Sequence, residues 1–70
     1  MKKFNEMIVG DSVTRLDLRN GQETEMEVSK VEENYLNFSN NDWINLGRDG
    51  EKTCATYTSR EYFYRSNTVN

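Results

Sequence analysis

Apolar and polar residues alternate most clearly at 23–28, where Thr24, Met26 and Val28 take one face and Glu23, Glu25 and Glu27 the other. That period of two is what a half-buried β-strand requires. Upstream, Phe4, Met7, Ile8 and Val9 form an apolar entry segment, and Gly10-Asp11 turns the chain into 12–18, where Leu16 and Leu18 alternate with charged residues. Arg19-Asn20-Gly21-Gln22 predicts a tight reversal, because Asn-Gly tolerates the positive φ of a two-residue hairpin. After Val28 the next apolar residue is Val31, so the phase breaks and predicts a bulge that bends the strand.

Glu33-Asn34 predicts a second reversal into Tyr35-Leu36-Asn37-Phe38, and Ser39-Asn40-Asn41-Asp42 a third into Trp43-Ile44-Asn45-Leu46. Gly47–Glu51 is a polar, glycine-bracketed hairpin loop, after which 53–57 returns as a strand. Thr58-Ser59-Arg60-Glu61 has the shape of a helix N-terminus, which predicts one helical turn before a closing strand at 62–65. Turn signals at Asn20-Gly21, Asn40-Asn41 and Asp49-Gly50, with no proline, predict an all-β fold, a small barrel of five or six strands. The expected core is Val13, Leu16, Met26, Val28, Val31, Leu36, Phe38 and Ile44, with Trp43 in or near it. One domain over 1–65 and a frayed tail over 66–70 complete the expectation.

Composition narrows the function classes. A 70-residue chain hides only about 60% of its extended surface, so association with another chain would add to its stability. Hydrophobic content of 34% and a mean hydropathy of -0.96 are low, yet eight aromatics argue against disorder. One cysteine, Cys54, excludes an internal disulfide, and the absence of histidine removes the familiar zinc-ligand sets. Cys54 also lacks an activating histidine and reads as a small core residue. The apolar run within Met1–Val9 is broken by Asn5 and Glu6, too polar for a secretion signal, and no segment reaches membrane-spanning length. The expectation is therefore a cytosolic chain without membrane attachment, for which the Asn37-Phe38-Ser39 glycosylation pattern carries no meaning.

Gly10, Asp11, Val13, Met26, Val28, Val31 and Trp43 set out an order that resembles the Src-homology-3-like barrels of bacteria. Over residues 8–46 it is most similar to the small YodC-like proteins and the KOW or Tudor-like modules. The latter imply binding of nucleic acid or of protein tails, although this chain lacks the basic face of the nucleic-acid binders. With brevity and an asparagine-rich composition, the resemblance points to a bacterial or phage origin.

Two surfaces are candidates for binding. The carboxylates of Glu23, Glu25 and Glu27 stand about 6.5–7 Å apart on one strand face, a spacing open to acid–base chemistry or a hard cation. Alternation alone also explains them, as a solvated face or an edge guarded by charge. With Glu32 and Glu33 they give residues 23–33 five acids and one lysine, a local charge of -4 against -3 for the chain. Such a stripe repels DNA, and it can imitate DNA, as a phage-type inhibitor would, or attract a basic partner.

The second surface is aromatic and basic: Tyr62 and Tyr64, facing together away from Phe63, beside Arg60 and Arg65. It suits protein contact or base stacking, and equally tyrosines that cap the barrel end. No residue set for catalysis, cofactor or metal emerges. The reading is a non-enzymatic interaction module, an inhibitor or adaptor for a protein partner, with self-association through the closing strand. A single-stranded nucleic-acid binder using the Tyr/Arg surface is the alternative, disfavoured by a pI near 4.8. Small-ligand binding at an oligomer interface is a third class.

Overall fold

The computed structural model describes residues 2–46, 55–57 and 61–69, with the backbone alone for 55–57. A 3-10 turn, Phe4–Glu6, is followed by six strands: β1 Ser12–Asp17, β2 Glu23–Val31, β3 Tyr35–Phe38, β4 Trp43–Asn45, β5 Ala55–Tyr57 and β6 Tyr62–Ser66. All pairings are antiparallel, in the order β4-β3-β2-β1-β6-β5, and the sheet curls into a half-barrel. The all-β, barrel-like architecture that the turn signals predicted is thus the observed one. The Asp49-Gly50 reversal, Cys54 and the first three residues of the helical turn expected over 58–61 lie outside the described residues.

β2 is the long member, and it pairs with β1 through its first half and with β3 through its second. Between the halves the register shifts at Val28/Lys30, leaving Ser29 unpaired where the apolar phase breaks. An extra residue on one strand bends it, and the bend lets one strand serve both halves of the sheet. Ser29 uses its freedom locally: its hydroxyl donates to the Asn37 carbonyl at 3.2 Å.

Gly21 and Asn41 hold the positive φ values, +74° and +69°, that their reversals need. The first reversal differs from the expected two-residue hairpin. Asp17 N–H donates to the Gln22 carbonyl at 2.9 Å, which closes a loop of four residues, 18–21. Gly21 N–H reaches back to the Asp17 carbonyl at 2.7 Å, and the Asn20 side chain accepts from Gln22 N–H at 2.8 Å. Glu33-Asn34 does form the two-residue reversal, closed by Glu32 N–H on the Tyr35 carbonyl at 2.9 Å.

The core comprises Phe4, Met7, Val13, Met26, Val28, Leu36, Phe38, Ile44, Leu46 and Tyr64. Phe38 from β3 and Tyr64 from β6 stack with ring centroids 6.2 Å apart, so the curl brings distant strands into contact across the interior. Three expected core positions are corrected. Leu16 is half-buried on the outer face, because Val13 points inward and a residue three positions on along a strand points outward. Val31 shares the core side with its partner Leu36 but sits at the sheet margin and stays 45% exposed. Trp43 is 56% exposed, on the side opposite Ile44.

The tail is corrected too. Ser66 is fully buried, and Thr68 is fastened twice: its carbonyl accepts from Lys2 N–H at 2.8 Å and its hydroxyl from Ser12 N–H at 3.0 Å. Asn67 N–H donates to the Ser12 carbonyl at 3.1 Å, and its side-chain amide donates to the Thr14 hydroxyl. The C-terminal segment therefore continues the pairing of β6 and closes over the N-terminus.

Candidate functional site

On β2 the core takes Met26 and Val28, so the pleat sends Glu23, Glu25 and Glu27 outward, and all three are exposed. Across β1 the register places them opposite Leu16, Thr14 and Ser12. Glu23 is met by Arg65, whose Nη2 stands 3.5 Å from its carboxylate. Glu25 and Glu27 have no partner among the described residues. They flank an open depression of about 500 Å³ completed by Gly10, Ser12, Met26 and Ser39. Glu32 pairs with Lys30 at 2.9 Å, which holds the lysine above its ordinary pKa, and Glu33 is exposed in the reversal beyond. Among the described residues no three carboxylates gather closely enough to hold a metal ion.

The Tyr/Arg surface is not assembled as expected. Tyr62 and Tyr64 do share a side, away from Phe63, but that side is the core: Tyr64 is 2% exposed. Its hydroxyl donates to Asp42 Oδ2 at 3.2 Å, and Arg15 donates to the same oxygen. Tyr62 packs against the core with its ring under two guanidinium groups, Arg15 at 5.0 Å and Arg19 at 5.6 Å. Arg19 is held in turn by Asp17 at 3.0 Å, and this contact keeps the Asp17 carboxyl below its usual range. Arg65 points outward beside Glu23, and Arg60 lies outside the described residues. The rings that were to stack on a partner instead pack in and against the core.

A different aromatic pair is exposed. Tyr35 on β3 and Trp43 on β4 meet edge to face on the outer side of the sheet, centroids 6.1 Å apart and 44% and 56% exposed. With Asn37 they line a shallow depression of about 310 Å³. Trp43 was expected in or near the core. The signal that finds it is the alternation itself: Ile44 and Leu46 face inward, so Trp43 and Asn45 face outward.

Along the outer side of β3, Tyr35 and Asn37 follow one another at about 6.5–7 Å, and Ser39 comes next, in the turn just past the strand. The backbone of Ser39 bonds to that of Glu27 at 2.9 Å, so the last glutamate of the ladder abuts one end of this row. Glu33 lies at the other end, two residues before Tyr35. Comparison with protein-family models, with curated proteins and with solved structures gives no match to this chain.

Proposed function

We propose that this chain is a non-enzymatic interaction module that engages a basic protein partner through the outer face of β2, acting as an inhibitor or adaptor. The observation that carries the reading is the pair Glu25 and Glu27: exposed, adjacent on one face, and unpartnered among the described residues. Lys30–Glu32 and Arg19–Asp17 are neutralised by local ion pairs, whereas Glu25 and Glu27 meet no cation among the described residues. Unneutralised like charges on one strand raise the local potential, and their gain comes when a cation arrives. The strand order and the bent β2 shared by both halves of the sheet support, as part of the same proposal, a place among the Src-homology-3-like barrels.

The test is retention from native lysate by immobilised wild type and by the Glu25→Lys, Glu27→Lys variant, with mass identification of what stays bound. A basic protein held by the wild type, released by salt and lost on charge reversal is the expected result. Retention that is indifferent to the reversal overturns the reading.

A further inference from the structure

We infer that the exposed Tyr35–Trp43 pair is the anchoring point of this interface, and that its occupant is an arginine-bearing, extended protein segment laid along β3. The inference rests on the acidic-face reading and deepens it. Its first support is the placement of the pair. Two large rings stand outward in mutual contact on a sheet face whose core side is fully occupied by Leu36, Phe38 and Ile44. Neither ring is needed to fill the interior, and exposed aromatic anchors of this kind dominate binding energy at interfaces.

Charge complementarity identifies the occupant. The row Tyr35, Asn37, Ser39 is bracketed by Glu27 at one end and by Glu33 at the other. Lys30, which stands opposite Asn37 in the register, has its charge offset by Glu32. Among the described residues the charges around these rings are therefore net negative, which favours a cation and disfavours a phosphate backbone. Guanidinium lies flat on an indole or phenol ring better than ammonium does, because it is planar and less tightly hydrated. The same preference is already at work inside this molecule, where Arg15 and Arg19 cover the Tyr62 ring. An extended chain repeats its same-face side chains at the 6.5–7 Å spacing of the row. An arginine over Trp43 thus brings its neighbours at alternate positions toward Glu27 and Glu33.

Trp43 is the only tryptophan of the chain, so its fluorescence reports directly on this site. The probes are nona-arginine and nona-lysine peptides, with a single-stranded oligonucleotide as the competing class. Titration of nona-arginine into the wild type is expected to change Trp43 emission and to give tighter binding than nona-lysine. Tyr35→Ala is expected to weaken nona-arginine binding about two- to five-fold, and Trp43→Ala, followed by anisotropy of a labelled peptide, to do the same and abolish the preference for arginine. Both side chains lie outside the core, so the variants should remain folded with only a small melting shift from the lost ring–ring contact, and Trp43→Phe, which keeps a ring, should recover most of the affinity. If the Glu25→Lys, Glu27→Lys variant loses the peptide but Trp43→Ala binds it as the wild type does, the aromatic anchor is wrong and the acidic-face reading survives. If the peptide binds equally to all variants, both fail. Tighter binding of the oligonucleotide than of nona-arginine overturns the assignment of the occupant.

Discussion

Asp42 Oδ2 accepts hydrogen bonds from Arg15 of β1 and Tyr64 of β6, so a single oxygen in the β3–β4 turn ties the two halves of the curled sheet together. Removing one donor is cheaper than removing the acceptor. Tyr64→Phe is expected to cost about 0.5–1.5 kcal/mol, and Asp42→Ala about 1–3 kcal/mol because two donors lose their partner. Urea unfolding midpoints of the two variants check the order, and equal losses would contradict it. Asp11 gives a pH-dependent counterpart. Partial burial pulls its carboxyl up, but the Ile8 amide and the Lys2 ammonium together outweigh that and hold it below its ordinary value. A carboxyl depressed by folding stabilises above its unfolded pKa and loses that contribution as pH falls through the folded value. Asp11→Asn should therefore be less stable than wild type at neutral pH, with the difference shrinking as pH drops below about 4. A difference that persists unchanged at low pH would count against this role.

At the scale of elements, the sequence was legible where a local rule determines the outcome. The alternation at 23–28, the bulge after Val28 and the turn at Asn40-Asn41 each follow from residues adjacent in the chain. It was not legible where the inward side is chosen by distant partners. Val13 and Leu16 have opposite parity on β1, and only pairing with Met26 and Ser66 decides that Val13 faces in. Tyr64 looked like a surface tyrosine because its core partner, Phe38, is far away in sequence. The tail is polar but for the exposed Val69 and carries no apolar periodicity, yet backbone bonds hold it to Ser12 and Lys2. Deleting residues 67–70 is thus expected to destabilise the fold by about 2 kcal/mol, from the several hydrogen bonds lost. Hydrogen exchange should show the Ser12 and Lys2 amides protected in the full chain and open in the truncated one. Fast exchange at both amides in the full chain would contradict the tethered tail.

For the whole molecule, what matters is where the charge stands. No helix of the described residues is long and apolar enough to cross a membrane. Ten described residues form the core, and the outer side of β2–β4 carries both the exposed rings and glutamates that have no partner among the described residues. Two variants with the same total charge separate location from sum. Glu25→Lys with Glu27→Lys, and Glu6→Lys with Glu61→Lys, each add four units to the formal -3 and give +1. All four positions are exposed, so both variants should remain folded. The decisive measurement is the affinity of nona-arginine for these two variants and the wild type at physiological salt. The β2 reversal is predicted to lose binding by about tenfold or more, roughly 1.4 kcal/mol, while the Glu6/Glu61 reversal keeps most of it. Equal losses in both variants would mean that net charge alone attracts the peptide and that the outer face of β2 is no binding site.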